Sequence, residues 1–351
     1  MTSSTTEGLS IERFIKSRAY GMGFDLVGIT RLGPAETSDR FEEWLGRGFS
    51  GEMKYLDRGA GKRRDTRTPF PPAASAIVVG LDYGGKSPSG PVARYARGDD
   101  YHDVMTERLD ELHRLIETEL GHEISGKSYV DTGPILERDL ARKAGLGWFG
   151  KNTNLINPEI GSFFFIASLV LDLELEPDTP FEHDRCGTCS RCIEACPTGA
   201  IVDERVIDAT RCIAYLTIEL RSAIPEDLRA PIGDLIYGCD ICQDVCPWNV
   251  SFARELSEDA FQPRKFVAGR DARELARDLL ALDQPAFSEK FRGSPMKRAK
   301  LSGLKRNAAV ALGNVGDASD ISALKGAKQD QEPLVREHAA WALDQIRRRT
   351  S

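Results

Sequence analysis

The chain has 351 residues, of which 41% are hydrophobic and 29% are charged, and its formal net charge is −7. This composition is typical of a globular protein with roughly two or three domains, and the negative charge argues against nucleic-acid binding over the whole surface. The sequence has no apolar run of membrane-spanning length and no signal-peptide pattern, so we expect a cytoplasmic protein with no membrane partner.

Two apolar, β-rich segments of the N-terminal part predict buried strands: "SAIVVGLDY" (75–83) and "SFFFIASLVLDLEL" (162–175). Between them, a predicted helix ends at Gly121. Its apolar residues recur at helical spacing: Val104, Leu109, Leu112, Leu115, Ile116 and Leu120. We therefore predict an α+β protein whose first domain, residues 1–178, is mixed α/β.

Asp131 follows a short predicted strand that ends at Val130. Pro134 is suited to the first position of a helix that ends near Gly145. Asp131 would then lie in a strand-to-helix turn, where two roles are open. It caps the helix or stabilises the turn, or it faces a cavity and donates a proton, which needs a pKa raised by burial or by a nearby negative charge.

The next segment, "LGWFGKNTNLI" (146–156), is rich in glycine and amide side chains. Such loops let the backbone approach a ligand closely. No G-x-G-x-x-G pattern follows a predicted strand, so the sequence does not support a dinucleotide-binding unit.

The eight cysteines form two sets. The first set, in "RCGTCSRCIEACPTG" (185–199), has the C-x2-C-x2-C-x3-C-P spacing of two-cluster [4Fe–4S] ferredoxins, whose fourth cysteine binds the other cluster. The second set, in "YGCDICQDVCPWN" (237–249), supplies three cysteines, and one more lies upstream of it. We predict one cluster held by Cys186, Cys189, Cys192 and Cys246, and another held by Cys196, Cys212, Cys239 and Cys242. Structural zinc sites, which also use C-x2-C pairs, are the alternative.

These clusters would form a ferredoxin-like domain over residues 179–255. Two adjacent clusters make a path for electrons but do not identify a reaction. Because a large domain precedes them, we expect the electrons to reach a second redox centre or a substrate in that domain.

The C-terminal part, residues 256–351, is predicted to be helical and HEAT-like. "AAVALGNV" (308–315) and "AAWALDQI" (339–346) are similar segments with helical apolar spacing. Just before them, "RGSPMKRAKLSGLKRN" (292–307) is basic and contains no acid, and "RGAGKRRDTRT" (58–68) is a second basic segment. Such a cluster is either a solvated helix face or a surface for an anionic partner such as a nucleic-acid backbone.

Together these segments resemble the epoxyqueuosine reductase family over nearly the whole chain. The resemblance is carried by "GEMKYL", "ARYARGDDYH", "YVDTGPILERDLARKAGLGWFGKNTNLI", "CGTCSRCIEACPTGAI", "RCIAYLTIEL" and "GCDICQDVCPWN". The segment "CIAYLTIEL" places Cys212 where the family has its displaced cluster ligand.

The resemblance implies that cobalamin binds in the N-terminal domain and receives electrons from the two clusters. The implied reaction reduces epoxyqueuosine to queuosine at the wobble position of a tRNA anticodon, the last step of queuosine biosynthesis, with Asp131 as the proton donor. The cobalamin contacts it suggests, besides Asp131, are Arg94, Tyr95, Lys151, Asn152, Thr153 and Asp240. The tRNA contacts it suggests are Arg221, Lys297, Arg298, Lys300, Lys305 and Arg306.

No histidine is expected to ligate the cobalt, because "DYHDVM" (100–105) has Met105 where the D-x-H-x-x-G element needs glycine. A monomer with an unidentified electron donor is expected. Two other functions stay open: a corrinoid reductase of a small molecule, as in reductive dehalogenases, and a non-catalytic electron carrier. A small substrate would not need the basic C-terminal segment, and a carrier would not need the large N-terminal domain.

Overall fold

The computed structural model describes residues 10–350. The N-terminal part contains, in chain order, α1 (Ile11–Gly21), β1 (Leu26–Arg31), α2 (Ser38–Gly46), α3 (Lys54–Arg58), α4 (Ala60–Arg63), β2 (Ser75–Asp82), α5 (Tyr101–Leu120), β3 (Gly126–Tyr129), α6 (Glu137–Lys143), β4 (Trp148–Phe149), β5 (Leu155–Ile156) and β6 (Phe164–Leu171). The cysteine-bearing part contains α7 (Arg191–Glu194), β7 (Ile201–Asp203), β8 (Val206–Ile207), α8 (Ile213–Ile218), α9 (Glu226–Arg229), α10 (Ile241–Asp244) and α11 (Pro247–Phe252). The C-terminal part contains α12 (Ala272–Leu280), α13 (Gln284–Lys290), α14 (Lys300–Val315), α15 (Ile321–Ala327) and α16 (Pro333–Thr350).

The N-terminal part is built on a four-stranded sheet in the order β1-β2-β6-β3. All neighbouring strands are antiparallel, and β2 pairs with β6 along its full length, from Ser75 opposite Leu171 to Asp82 opposite Phe164. Every residue of β2 is buried, as expected for a central strand that is covered on both faces. Both predicted strands are therefore confirmed.

Helices cover both faces of this sheet. On one face, α1 and α5 bury Ile15, Leu109 and Ile116 against strand residues such as Ile77. On the other face, α6 packs Leu140 against a second group of strand residues. The sheet is thus held rigidly, and the loops at its strand ends are fixed in place.

The predicted helix between the strands is confirmed as α5. The side chain of Asp100 accepts a hydrogen bond from the backbone N–H of His102 and caps its start. Gly121 ends it with a φ of 73°, a left-handed conformation that glycine adopts without steric cost.

The prediction that Pro134 begins a helix is wrong, because α6 begins at Glu137. No side chain caps α6, so the helix-capping role considered for Asp131 is also wrong. Residues 131–136 form an irregular loop instead, and Asp131 itself has a φ of 58°. A non-glycine residue in this left-handed region is uncommon and is typical of turns and functional sites.

The C-terminal helices share one core. Leu304 and Leu312 of α14 pack with Ala339 and Leu343 of α16. These helices approach closely at Gly313, where a Cβ atom would lie 2.4 Å from the Trp341 ring. The two similar sequence segments therefore lie on neighbouring helices, so the helical prediction is confirmed, whereas HEAT-like stacking stays a prediction.

Packing crosses the predicted domain boundaries. The Phe261 ring packs edge-on against Phe165 of β6, with 5.0 Å between ring centroids, although residue 261 falls within the predicted C-terminal domain. Val92 and Tyr237 in turn belong to the core of the C-terminal helices. The boundaries after residues 178 and 255 stay a prediction.

Within residues 10–350, no helix is both long enough and apolar enough to cross a membrane.

Candidate active site and cluster-binding region

Four cysteines surround one cavity. Cys186, Cys189, Cys192 and Cys246 line a space of about 220 Å³ together with Trp248. These are the four residues that the ferredoxin spacing assigns to one cluster. Cys246 precedes Pro247, which begins α11, so the proline turns the chain just after the last thiol of the group.

The other four cysteines also lie close together. The pKa of the Cys239 thiol is raised to about 12, first by burial and then by nearby groups that include Cys212 and Cys196. The pKa of Cys242 is likewise raised, first by burial and then by Cys239, Cys212 and Cys192. Because Cys192 belongs to the first group, the two groups are adjacent, which is the arrangement that electron transfer between two clusters requires.

All eight cysteines are free thiols, so each is available as a ligand. Among residues 10–350, no three His, Cys, Asp or Glu side chains converge closely enough to hold a single metal ion.

Asp131 lies at a second cavity, where the sheet meets the cysteine-bearing part. This cavity has a volume of about 170 Å³, and Tyr83, Tyr101, Asp131, Glu137, Phe165 and Gln243 are among its lining residues. The Asp131 side chain is 67% exposed, so it is open to a substrate. Tyr101 Oη donates a hydrogen bond of 2.8 Å to Asp131 Oδ2 and orients this carboxyl.

His102 places a second polar group beside Asp131. Its Nε2 atom lies 3.9 Å from Asp131 Oδ2, and its Nδ1 atom lies 2.7 Å from Asp100 Oδ1. Burial lowers the pKa of His102, but the hydrogen bond to Asp100 and the charges of Asp100 and Asp131 outweigh it, so the pKa is raised. A positive charge on His102 would stabilise the anion that Asp131 becomes after it gives up a proton.

Glu137 is a cavity residue that the sequence did not predict. Its Oε1 atom accepts a hydrogen bond of 2.8 Å from the backbone N–H of Asp131. Burial, and after it the charge of Asp131, raises the pKa of Glu137 to about 8. The sequence shows Glu137 in "DTGPILER", six residues after Asp131. Its place in the site could be recognised only by knowing that the loop turns back before α6 starts.

The cysteine-bearing part forms one wall of the Asp131 cavity. Gln243, the residue after Cys242, lines this cavity. Its Oε1 atom accepts a hydrogen bond of 2.9 Å from Ser162 Oγ, next to the start of β6. Asn152 Nδ2 donates to the backbone carbonyl of Cys242 at 3.3 Å. A cluster held by Cys242 would therefore lie directly behind this wall.

The residues predicted to contact cobalamin fall into three places. Arg94 and Asp240 are buried and form an ion pair with each other. Tyr95 packs beside Tyr101, with 6.3 Å between ring centroids, and so lies close to the Asp131 cavity. Lys151 and Asn152 line the cavity of the first cysteine group, where Lys151 pairs with Glu204.

Thr153, with a φ of 70°, completes this loop, and its carbonyl accepts a hydrogen bond from Arg138 at 3.0 Å. The structure thus places Asp131 in the lining of one cavity, with Tyr95 packed behind Tyr101, and takes Lys151 and Asn152 to the other cavity. Direct contact of these residues with a cofactor stays a prediction.

One of the predicted tRNA contacts, Arg306, is wrong, whereas that of Lys305 stays a prediction. Arg306 is 0% exposed, and it donates hydrogen bonds to the carbonyls of Leu220 and Ser222, both at 2.8 Å. Such a buried guanidinium stabilises the end of a helix and cannot reach a phosphate. The Lys305 side chain is only 12% exposed and pairs with Asp330 at 2.7 Å.

The remaining basic residues lie on the surface. Lys297 and Lys300 are exposed and form no ion pair within the described part of the chain. Arg298 is exposed and makes a two-pronged contact with Glu219, at 2.9 and 3.0 Å. Arg221 Nη2 donates to the carbonyl of Arg298 at 2.9 Å, so these four residues form one patch, which we call the basic patch.

Comparison with known proteins identifies the family. Residues 63–132 match the family described as "Epoxyqueuosine reductase QueG, DUF1730", and residues 185–249 match the "4Fe-4S double cluster binding domain" family. The chain is 42% identical over 343 residues to the epoxyqueuosine reductase of Xanthomonas campestris, covering 94% of this chain and 95% of that protein. It is 41% identical over 349 residues to the enzyme of Escherichia coli, covering 96% of this chain and 90% of that protein.

Solved structures agree with this result. A crystal structure of epoxyqueuosine reductase with an epoxyqueuosine-modified stem loop of tRNA-Tyr superimposes with a TM-score of 0.87 at 33% identity, covering 96% of this chain and 90% of that one. The structure of epoxyqueuosine reductase from Streptococcus thermophilus gives a TM-score of 0.84 at 28% identity, with the same two coverages. The double-cluster match confirms the prediction of two [4Fe–4S] clusters over zinc. The chain belongs to the epoxyqueuosine reductase family.

Proposed function

We propose that this protein reduces epoxyqueuosine to queuosine at the wobble position of a tRNA anticodon. One observation carries the proposal: Gln243, next to the cysteine Cys242, lines the same cavity as the exposed carboxyl of Asp131. A cluster ligand thus lies behind the wall of the cavity, and an acidic side chain lies in its lining. A relative of known structure, similar over 96% of this chain, binds an epoxyqueuosine-modified stem loop.

The chemistry explains why both groups are needed. Conversion of an epoxide to an alkene breaks two carbon–oxygen bonds, takes up two electrons and two protons, and releases water. Iron–sulfur clusters pass electrons one at a time, so two adjacent clusters suit a two-electron demand. An alkoxide is a poor leaving group, so an acid such as Asp131 must protonate the oxygen as the bond breaks.

We propose that cobalamin binds against the Asp131 cavity, and the chemistry of the cavity lining supports this. The aromatic side chains of Tyr101, Phe164 and Phe165 can hold a large flat ring, and Ser162 and Gln243 offer polar partners for its amide groups. When bound, the cofactor supplies a metal that accepts single electrons and reacts with carbon. The protein's own residues orient the epoxide, exclude water and deliver the protons.

The basic patch of Arg221, Lys297, Arg298 and Lys300 is our proposed tRNA surface. Exposed lysines and arginines neutralise phosphates and make binding depend on salt concentration. We propose that HEAT-like helices of the C-terminal part present this patch and that the protein acts as a monomer in the cytoplasm, where tRNA is modified. The electron donor is a separate reductant.

The test is reconstitution without oxygen, using iron, sulfide and cobalamin, followed by incubation with a reductant and an epoxyqueuosine-modified stem loop. We expect about eight irons per chain, corrin absorption bands that survive gel filtration, and queuosine in the digested RNA. Eight irons without corrin or queuosine would favour the electron-carrier function instead. Bound corrin with no reaction of the RNA would favour a small-molecule reductase.

A further inference from the structure

Two carboxyl side chains share the Asp131 cavity. Asp131 and Glu137 both line it, and the backbone N–H of Asp131 donates to Glu137 Oε1 at 2.8 Å. This hydrogen bond holds Asp131 in its left-handed conformation, with a φ of 58°. The two residues come from either end of one irregular loop, and they differ in exposure, because Asp131 is exposed whereas Glu137 is partly buried.

The surroundings of Glu137 favour its neutral form. Burial and the charge of Asp131 raise the pKa of Glu137 to about 8, and this outweighs the hydrogen bond from the Asp131 N–H and the charges of Arg138 and Arg63. Arg63 is itself held near the loop, with its Nη2 atom 3.4 Å from the Gly133 carbonyl. Tyr101, on α5, faces the same carboxyls with a neutral hydroxyl. A protonated carboxyl can still accept the Asp131 N–H through its carbonyl oxygen.

We propose that Glu137 is a second acid of this site and supplies one of the two protons that the reaction consumes. This inference rests on the proposed function. When the first carbon–oxygen bond breaks, the oxygen takes a proton from Asp131 and becomes a hydroxyl group. When the second bond breaks, the oxygen takes a proton from Glu137 and leaves as water. Two electrons from the reductant, passed through the clusters, complete the alkene, and both carboxylates regain protons from solvent.

A purely structural role for Glu137 makes a different prediction. If Glu137 only held the Asp131 loop, Glu137→Gln would preserve function, because the glutamine carbonyl also accepts the Asp131 N–H. Glu137→Asp would then be the worse variant, since its shorter side chain does not reach this N–H. If Glu137 is an acid, the order reverses: Glu137→Gln cannot give up a proton, whereas Glu137→Asp can.

The decisive experiment is a pH–rate profile of the reconstituted protein on the epoxyqueuosine-modified stem loop. The wild-type rate should fall as the pH rises through about 8, because an acid must be protonated to act. Glu137→Gln should be slower by about tenfold or more, and its alkaline fall should no longer be centred near pH 8, because Asp131 is then the only acid of the pair that titrates. Glu137→Asp should be intermediate and keep a fall. The matched control is Glu123→Gln, an exposed residue, and should match the wild type.

Glu137→Gln with the wild-type rate, or slow but with its alkaline fall still centred near pH 8, would overturn the acid role. If the wild-type protein converts no epoxyqueuosine at all, the proposed function fails rather than this inference. Infrared difference spectra between pH 6 and pH 9 test the inference without turnover. A carboxyl band that titrates near pH 8 should be absent in Glu137→Gln and should move to lower pH in Asp131→Asn, since that change removes the neighbouring negative charge. A band that both variants leave unchanged would contradict the assignment.

Discussion

Arg94 and Asp240 form a buried ion pair that joins the N-terminal part to the cysteine-bearing part. Arg94 Nη1 lies 3.1 Å from Asp240 Oδ2, and the backbone N–H of Arg94 donates to the same oxygen at 2.9 Å. Arg94 Nη1 also lies 2.7 Å from Asp244 Oδ1. Because Asp240 lies between Cys239 and Cys242, this pair fixes the cysteine loop against the N-terminal part.

Removing the Arg94 charge should therefore destabilise the protein. Arg94→Met leaves Asp240 buried without its partner, and we expect a loss of about 3 to 5 kcal/mol in the free energy of unfolding. Urea unfolding of the anaerobic protein measures this loss. Arg13→Met, which removes an exposed arginine of α1, should stay within about 0.5 kcal/mol of the wild type. Equal effects of the two substitutions would mean that the pair contributes nothing to stability.

Asp131 should be essential for turnover but not for assembly. Asp131→Asn should keep the iron content and the corrin bands while the turnover rate falls by about a hundredfold or more, because the amide cannot donate a proton to the epoxide oxygen. Tyr101→Phe removes the hydrogen bond of 2.8 Å to Asp131 and should cause a smaller loss of rate. Single-turnover kinetics with the modified stem loop measure both. Normal turnover of Asp131→Asn would remove Asp131 as the proton donor.

The basic patch should bind RNA through its exposed lysines. The double substitution Lys297→Gln/Lys300→Gln should weaken stem-loop binding and reduce the salt slope of log Kd by about 0.7 to 0.9 for each phosphate that is no longer neutralised. Fluorescence anisotropy at several salt concentrations measures this slope. The matched control removes two exposed charges of α1, as Arg13→Gln/Arg18→Gln. The patch would be excluded as the tRNA surface if both double variants bound like the wild type.

His338 should make stability depend on pH. It is fully buried, and its Nε2 atom accepts the backbone N–H of Ile224 at 3.2 Å, which fixes the neutral ring. Burial lowers the pKa of His338 from 6.5 to about 4. Between pH 6.5 and pH 4 only the unfolded chain binds a proton at His338. The stability that the buried neutral ring provides is therefore fully present above pH 6.5 and is lost as the pH falls toward 4.

From pH 7 to pH 5 this histidine should cost about 2 kcal/mol of unfolding free energy. His338→Gln should be less sensitive to pH by that amount, because glutamine has no proton to gain. Urea unfolding of both proteins at the two pH values measures the difference. Identical pH dependence of the wild type and the variant would contradict a neutral, buried His338.

The strands, the long helix and the cysteine groups could be predicted from sequence because each has a local signal. Buried strands such as β2 are continuous apolar runs, and cluster ligands follow fixed spacings. Pro134 misled the prediction of α6 because proline fits the first helical turn but also fits the loop that precedes it.

The error at Arg306 has a different cause. Sequence shows charge but not burial, and the carbonyls that bind Arg306 come from Leu216, Leu220 and Ser222, far away in the chain. Glu137 was missed for the same reason, since its importance depends on a hydrogen bond with Asp131 that only the folded loop creates.

We propose that the Asp131 cavity receives electrons from two clusters and protons from carboxyl groups, and that an epoxide oxygen of the tRNA is removed there. The most direct measurement is an anaerobic titration of the reconstituted protein with reductant in the presence of epoxyqueuosine-modified stem loop, with nucleosides quantified by mass spectrometry. We predict one queuosine for every two electrons consumed beyond those that reduce the protein itself. If electrons were taken up by a protein with about eight irons and bound corrin while epoxyqueuosine stayed unchanged, the claim would be contradicted.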